Sequence, residues 1–326
     1  MKRRSVCHAL AALSAAVAIP GIAQPGRVFR VAWVSIDRAD SRSPSLLAFR
    51  DGLRDLGYAE GKDIVVDTWW GEGSAERLAR MTGEILATRP DAVVAQGGQS
   101  LRPIMAADKT TPIVFGMSAD PVEARVVASY ARPGGNVTGM SFFAMDLVGK
   151  RMELLKEVMP GIRRVAVVAN PEHPGEQKEL AVSQAAARDL GLTVHYLPVR
   201  SGEELDRALA SIAQARDEAI VAFADAFTLG FAQRFAEFSV RHRIPSVSGW
   251  AAFARQGNLM TYGPVITDTY RRMAGYIDRI RKGAKPADLP VEFPTRVEWV
   301  INAIAAQKMG LSIPSSVLAR ADEVIR

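Results

Sequence analysis

Val31-Ala32-Trp33-Val34 is a continuous apolar run, and it is followed by apolar residues at helical spacing, at Leu46, Phe49, Leu53 and Leu56. A run of this kind, without polar alternation, is typical of a strand buried on both faces of a parallel sheet. Similar runs recur along the chain as Ala92-Val93-Val94-Ala95, Pro112-Ile113-Val114-Phe115, Val165-Ala166-Val167-Val168 and Ala219-Ile220-Val221-Ala222-Phe223. Strands that alternate with helices build right-handed βαβ units, so the sequence predicts an α/β fold.

The alternation occurs in two related blocks. Arg54-Asp55-Leu56-Gly57-Tyr58 closes a helix in the first block, and Arg188-Asp189-Leu190-Gly191-Leu192 closes one in the second. A glycine just past a helix can adopt the left-handed conformation that caps the last turn. Because a strand follows each of these helix ends, the pattern predicts two similar doubly wound lobes, each with a parallel sheet.

Turn-rich or extended segments separate the blocks. We expect the chain to cross between the lobes near Arg132-Pro133-Gly134-Gly135-Asn136-Val137-Thr138-Gly139, near Leu259 to Gly263, and near Lys285-Pro286-Ala287-Asp288-Leu289-Pro290. Several crossings make a multi-strand hinge with a cleft between the lobes.

The first 23 residues have the layout of a secretory signal peptide. Lys2, Arg3 and Arg4 precede an apolar stretch from Ala9 to Ile19, and small residues follow at Gly21 and Ala23. This stretch is well short of the roughly 20 residues that span a membrane. An uncleaved anchor and a disordered start are the alternatives. Cleavage near Gln24 predicts a soluble, periplasmic protein.

Removal of this segment changes the composition. The only cysteine, Cys7, leaves with it, so a mature disulfide is not expected. The formal net charge falls from +6 to about +3, without a dense basic stripe, so the sequence gives no electrostatic footprint for nucleic acid. We expect a monomer that binds no nucleic acid.

Ligands of open parallel sheets bind beyond the carboxyl ends of the strands. This rule selects hydroxyl, amide, carboxylate and aromatic side chains that suit a small polar solute with an apolar part. The predicted ligand-binding residues are Ser35, Asp37, Gln96, Gly98, Gln99, Ser100, Met117, Ser118, Asn170, Asp225, Ser248, Trp250 and Tyr262. The rule also selects neighbours of these residues, among them Ile36, Asp120, Glu172 and His173.

Four of these residues have expected roles. Gln99 and Ser100 would hold a carboxylate, Asp225 would accept from an ammonium or hydroxyl group, and Trp250 would pack on the apolar part. Structural alternatives remain open: Gln96 to Ser100 as a plain turn, Asp225 as a helix cap, and Trp250 as packing at the cleft edge. Asn170, which precedes a proline, is also typical of a turn.

Enzyme motifs are incomplete. Gly116-Met117-Ser118-Ala119-Asp120 follows a strand like a nucleophile elbow, but its last position is not glycine. His173, His195 and His242 have no metal-ligand spacing, and no phosphate-binding loop is present. We therefore expect no enzyme activity, cofactor or metal. The alternative is an exported α/β hydrolase that uses Ser118 with His173 or another base.

Several motifs resemble those of a known family. They are Thr111-Pro112-Ile113-Val114-Phe115, Ala119-Asp120-Pro121-Val122, Ala131 to Gly139, Gly149-Lys150-Arg151, Met260-Thr261-Tyr262-Gly263-Pro264, Lys282 to Glu292, and Arg320 to Ile325. The chain resembles a family of ABC-transporter substrate-binding proteins that includes tryptophan- and tyrosine-binding members and has the type I periplasmic-binding fold. The resemblance covers essentially the whole chain after the signal.

The resemblance implies capture of a small solute, an amino acid or similar and possibly aromatic, for an ABC permease and its ATPase at the inner membrane. It assigns 27–139 plus 264–286 to lobe 1, and 140–263 plus 287–326 to lobe 2. A ligand-sensing partner of a signalling receptor is an alternative role. Two loops depart from the family pattern: Glu123-Ala124-Arg125 stands where a glycine-containing turn is usual, and Gln96-Gly97-Gly98-Gln99 where small or threonine residues are common.

Overall fold

A computed structural model describes residues 27–39, 43–142, 146–173 and 175–326. The predicted signal peptide, its cleavage site and Cys7 lie outside these residues. The first half of the chain forms β1 (Phe29–Ser35), α1 (Pro44–Asp55), β2 (Ile64–Trp70), α2 (Ala75–Ala87), β3 (Ala92–Gln96), α3 (Gly98–Ala107), β4 (Ile113–Met117) and β5 (Val137–Ser141). These strands make one parallel sheet in the order β2-β1-β3-β4-β5.

The remainder forms α4 (Asp146–Val158), β6 (Arg164–Ala169), α5 (Glu176–Asp189), β7 (Thr193–Pro198), α6 (Gly202–Ala215), β8 (Ala219–Ala222), α7 (Ala226–Gly230), α8 (Ala232–His242), β9 (Ser246–Ser248), α9 (Ala251–Arg255), β10 (Met260–Pro264), α10 (Ile266–Arg281), a 3₁₀ turn (Pro286–Asp288), β11 (Val297–Asn302), α11 (Ala303–Met309), α12 (Ser315–Leu318) and β12 (Glu323–Ile325). The second sheet has the order β12-β11-β10-β9-β8-β6-β7. Its β10–β11 pair is antiparallel.

The apolar runs form the central strands, as predicted. The runs that begin at Val31, Ala92 and Pro112 contribute to β1, β3 and β4, and those at Val165 and Ala219 contribute to β6 and β8. Their side chains are buried on both faces of each sheet, and each sheet has a separate hydrophobic cluster on either side. The predicted α/β fold with two doubly wound lobes is confirmed.

The two glycine-terminated helices also match the sequence pattern. Gly57 follows α1 with φ = 86°, and Gly191 follows α5 with φ = 66°. In each case the next N–H closes the turn onto a carbonyl of the last helical turn: Tyr58 N donates to Leu53 O and Leu192 N to Ala187 O. Left-handed capping explains why the same residue pattern occurs in both lobes.

The chain stays in the first lobe slightly longer than the sequence indicates. β5 belongs to the first sheet through Ser141, because its pairing with β4 continues past the Pro-Gly-Gly turn. Val291 N donates to Tyr130 O, and Glu292 N to Gly139 O, so the segment after the 3₁₀ turn is still bound to the first lobe. The lobe boundaries at residues 139 and 286 stay a prediction. β5 extends two residues beyond the first of them, and the returning segment is bound to the first lobe as far as Glu292.

One helix makes the first lobe discontinuous. α10 leaves β10 of the second sheet and packs on α1, where Tyr270, Met273 and Tyr276 are buried with the first-lobe core. Because the chain then returns to the second sheet from the opposite side, β11 runs antiparallel to β10. In the part of the chain that the structure describes, no helix combines the length and apolar character needed to cross a membrane.

Candidate functional site

A cleft of about 830 Å³ lies between the two lobes. In the first lobe its walls come from the residues after β1, β3 and β4, and in the second from those after β6, β8 and β9. This is the edge that ligands occupy in open parallel sheets, because loops and helix N-termini converge there. The volume falls within the range of about 300–1,000 Å³ that is typical of small-molecule sites.

The structure brings most of the predicted ligand-binding residues together. Those that line the cleft are Asp37, Gln96, Gly98, Gln99, Met117, Ser118, Asn170, Asp225 and Trp250. Their contact with a ligand stays a prediction.

Four predicted residues, Ser35, Ser100, Ser248 and Tyr262, do not line the cleft. The first three are almost completely buried within their own lobes. Ser35 Oγ accepts from the backbone N–H of Asp37 at 3.1 Å, so it supports the loop rather than facing the cleft. The Tyr262 ring packs against the second-lobe core. These residues lie at the predicted strand ends, but their side chains point away from the cleft.

Several lining residues were not predicted, including Arg102, Phe142, Phe227 and Tyr270. Phe142 and Tyr270 meet edge to face, with ring centroids 5.5 Å apart, beside the first-lobe core. Tyr270 lies on α10, far along the sequence from the first-lobe strands, so no local pattern signals its position. Glu172 and His173, which the strand-end rule did select, also line the cleft.

The first-lobe wall offers groups suited to an anion. α3 begins at Gly98, directly at the cleft, and the first N–H groups of a helix have no carbonyl partner within it. Arg102, one turn further, forms no ion pair with any residue that the structure describes. Gln99 lies between them on the same wall. Together these groups can hold a carboxylate.

Asp37 adds a carboxylate to the first-lobe wall. Gln96 Nε2 donates to its Oδ2 at 3.2 Å. Desolvation by the surrounding protein raises the pKa of Asp37, against the hydrogen bond from Ser35, which lowers it. The charge of Asp37 in turn adds to burial in raising the pKa of Tyr270, so that ring keeps its hydroxyl proton.

The second-lobe wall contains Asp225 and His173. Asp225 caps α7, because its Oδ1 accepts from Thr228 N at 2.6 Å and Thr228 completes a capping box. The helix-cap interpretation of Asp225 is therefore confirmed, and the same carboxylate lines the cleft. Burial raises the pKa of Asp225, while the nearby imidazole of His173 opposes that shift.

Ser118 and His173 connect the two walls. Ser118 Oγ lies 2.8 Å from His173 Nε2, and a second contact joins Lys178 Nζ to Glu123 Oε2 at 2.7 Å. The distance between Ser118 and His173 is the one that a nucleophile and its base require. The two residues lie on separate lobes, however, so that any opening of the cleft separates them. This is the geometry of a contact that holds the lobes together.

The family model for ABC transporter substrate binding proteins matches residues 31–325, nearly the whole described chain. The chain belongs to this family. The substrate-binding protein is 22% identical over 254 residues to a tyrosine-binding protein of Clostridioides difficile (strain R20291), across 78% of this chain and 73% of that relative. The family is one of binding proteins that work outside the cytoplasm, not a family of enzymes.

Solved structures share the whole architecture. The substrate-binding protein is similar to a conserved domain protein from Vibrio cholerae, with a TM-score of 0.82 and 26% identity over 91% of this chain and 100% of the other. It is equally similar to an ABC domain from Streptococcus pneumonia in complex with L-Trp, with a TM-score of 0.82, 26% identity and the same coverage. The type I periplasmic-binding fold expected from the sequence is confirmed.

Proposed function

We propose that this protein captures an amino acid with an aromatic side chain and presents it to an ABC permease. The single observation that carries this proposal is the cleft, which combines a carboxylate-binding wall, buried carboxylates and aromatic rings in one space of about 830 Å³. Two relatives support the ligand class: one is named for tyrosine binding and the other was solved with L-Trp.

The first lobe would hold the ligand carboxylate. The N–H groups at the start of α3 and the guanidinium of Arg102 provide the charge, and Gln99 provides a further hydrogen bond. Ser100 was predicted to share this role, but its hydroxyl is buried, so we assign the carboxylate to Gln99, Arg102 and the helix N-terminus.

The second lobe would hold the ammonium group and part of the ring. Asp225 borders the cleft although its side chain is almost completely buried, and Trp250 lies on the same lobe. Phe142 and Tyr270 face them from the first lobe and give the ring an apolar floor. A ligand that contacts both lobes stabilises the closed state over the open one, which is what capture by hinge closure requires.

The setting follows from the family and the first 23 residues. We infer that residues 1–23 are a cleaved signal peptide and that the protein acts as a monomer in the periplasm. It delivers its solute to a permease and its ATPase at the inner membrane, without a cofactor and without altering the solute.

A thermal-shift screen against the amino acids tests the ligand class, because a solute bound only by the folded state raises the melting temperature. Calorimetry then compares the best solute with Asp225→Ala and Trp250→Ala. Phe293→Ala is a matched control, since Phe293 is an exposed aromatic residue outside the cleft. Unchanged affinity in both cleft variants removes these roles, and the lack of any shift with amino acids removes the ligand class.

A further inference from the structure

Five ionisable side chains meet beneath the second-lobe wall of the cleft. We call them the buried charge cluster: Arg151, His173, Glu176, Glu179 and Asp225. They come from α4, from the loop after β6, from the first turn of α5 and from the loop after β8. Apart from His173, each is at most 6% exposed. His173 is half-buried and reaches the cleft.

Each member is fixed by specific contacts. Arg151 Nη1 donates to Glu179 Oε1 at 3.2 Å, and Arg151 Nε donates to the carbonyl of Tyr262 at 2.9 Å. Glu176 accepts from the hydroxyl of Tyr196 at 2.7 Å. Glu179 is thus paired with the guanidinium, while Asp225 and Glu176 lie close enough to Glu179 for their charges to act on it. The gap bordered by His173 and the three carboxylates is too small for a water molecule.

The charges of this cluster do not balance by themselves. The cluster contains three carboxylates and one arginine, and an unpaired charge in a dry interior is costly. Burial, together with the charges of Asp225 and Glu176, raises the pKa of Glu179 to about 7 against the opposing effect of Arg151. Burial lowers the pKa of His173, and the charges of Asp225 and Glu176 oppose that change.

The surroundings supply little further positive charge. Tyr196, next to Glu176, has a raised pKa because of burial and of that carboxylate, so it stays neutral; Arg200 faces Tyr196 and only weakens this shift. Ser118, which contacts His173 from the other lobe, is not ionised. Because the pKa of Glu179 is about 7, a proton on this carboxyl offsets part of the negative charge of the cluster at and below neutral pH.

Two members of the cluster, His173 and Asp225, also line the cleft. Glu179 does not reach the cleft, but the negative charge of Asp225 is one of the causes that raise its pKa. A cation that enters the cleft beside Asp225 offsets that charge and so favours loss of the proton from the cluster. We propose that the ammonium group of the solute replaces a proton of the buried charge cluster, so that binding of an amine-bearing solute releases a proton to the solvent. This inference rests on the proposed function, because it needs an amino acid in the cleft.

Proton release makes the affinity depend on pH. If one proton leaves on binding, the association constant rises by about tenfold per pH unit over the range in which the free protein holds the proton and the complex does not. With Glu179 as the main site, this range begins below about pH 7, the pKa of Glu179 in the ligand-free protein. Acidification then weakens capture of the solute.

Isothermal titration calorimetry in phosphate and in Bis-Tris at pH 6.5 measures the released proton, because both buffer at this pH and they differ in ionisation enthalpy. The probes are L-tyrosine and L-tryptophan, each with its deaminated analogue, 3-(4-hydroxyphenyl)propionate or indole-3-propionate. A group with a pKa of about 7 is about three-quarters protonated at pH 6.5, so we expect release of up to about three-quarters of a proton with an amino acid and none with its analogue.

Variants identify the source of the proton. Glu179→Gln should reduce proton release by at least half, and His173→Gln gives a second test that keeps a hydrogen-bonding side chain towards Ser118. Glu237→Gln, an exposed glutamate on α8, is the matched control and should release the same amount as the wild type. Potentiometric titration of the ligand-free protein adds a readout without a solute: the wild type should take up close to one more proton than Glu179→Gln between pH 8 and pH 5.

The outcomes separate the two proposals. If an amino acid binds with equal enthalpy in both buffers, or if both cluster variants release protons like the wild type, this inference is overturned and the proposed function stands. Equal proton uptake by wild type and Glu179→Gln without ligand overturns it as well. If none of the amino acids binds, the proposed function and this inference both fail.

Discussion

Ser118 Oγ and His173 Nε2 lie 2.8 Å apart although one side chain follows β4 of the first lobe and the other follows β6 of the second. The nearby ion pair of Lys178 with Glu123 also joins the lobes, but the lysine is largely exposed. Exposed ion pairs contribute little to stability, whereas a half-buried hydrogen bond contributes about 1 kcal/mol. The Ser118–His173 contact is therefore the main polar link across the cleft.

Ser118→Ala should favour the open state. Loss of about 1 kcal/mol of closing energy predicts a roughly fivefold weaker affinity for the solute and a larger radius of gyration in small-angle X-ray scattering. Lys178→Gln, which removes only the exposed link, should change both quantities much less. An equal effect of the two variants would contradict this assignment. Hydrolysis of p-nitrophenyl acetate that disappears in Ser118→Ala would revive the hydrolase alternative.

Asp225 has two tasks that substitutions can separate. Asp225→Asn keeps an oxygen that accepts from Thr228 N, so the stability should change by less than about 1 kcal/mol. It removes the negative charge, so the affinity for an amino acid should fall ten- to a hundredfold, as for a lost charge-assisted hydrogen bond of about 1.5–3 kcal/mol. Asp225→Ala should lose the cap as well, with about 1–2 kcal/mol of stability. Urea unfolding and calorimetry measure the two effects, and full affinity in Asp225→Asn would exclude an ammonium contact.

Glu179 predicts a pH-dependent stability. Its pKa is raised from 4.5 to about 7, so the folded state holds a proton that the unfolded state releases. The stability that this proton provides is present below about pH 4.5 and is lost as the pH rises to 7, by at most about 3 kcal/mol. The difference in unfolding free energy between wild type and Glu179→Gln should therefore shift in favour of the variant over this range. The lowered pKa of His173 gives a pH dependence of opposite sign, but it is present in both the wild type and Glu179→Gln and cancels from the difference in unfolding free energy. A difference that is constant from pH 4.5 to 7 would argue against the raised pKa.

Gly52 allows α10 to approach α1. A Cβ at this position would lie 2.2 Å from the backbone oxygen of Arg271, so Gly52→Ala should cost about 1–3 kcal/mol. Gly275 on α10 is a matched helical glycine with no heavy atom within 4 Å of an added Cβ, and Gly275→Ala should stabilise by about 0.5–1 kcal/mol. Thermal unfolding compares the two. Destabilisation of similar size in both variants would show that helix packing is not the cause.

Arg125 occupies a backbone conformation that glycine prefers. Its φ is 56°, in the loop where the family pattern usually has a glycine-containing turn. A non-glycine residue in this region destabilises the folded state by about 1–2 kcal/mol. Replacement by glycine removes this strain, but the greater freedom of glycine in the unfolded chain offsets part of the gain. Arg125→Gly should therefore stabilise by up to about 1 kcal/mol, and Arg125→Ala, which keeps the strain, should not. A similar gain in both variants would point to the arginine side chain instead.

The strands, the doubly wound lobes and the edge that bears the cleft could be predicted from the sequence. Each depends on local signals: apolar runs such as Val31 to Val34, and glycines such as Gly57 and Gly191 at helix ends. Strand ends also indicate which residues reach the cleft edge, and Asp37, Gln99 and Asp225 lie there.

The remaining site features depend on long-range packing. Ser100 is one residue from Gln99, yet its side chain turns into the core because the helix rotates successive residues by about 100°. Tyr270 reaches the cleft only because α10 returns to the first lobe. Arg151 and Glu179 lie on amphipathic helices where charged residues are usually solvent-exposed, so their mutual burial has no sequence signal.

The return of α10 to the first lobe also determines when that lobe can fold. The hydroxyl of Tyr58 donates a hydrogen bond to Asp278, 220 positions later, and the ring centroids of Trp33 and Tyr270 lie 5.4 Å apart. The core on one face of the first sheet is therefore incomplete until synthesis has passed residue 281. Contacts of such high sequence separation form slowly, so a nascent chain keeps this lobe unfinished through most of its elongation. Late completion of the first lobe keeps the apolar face that α10 covers exposed to chaperones until that helix has been made.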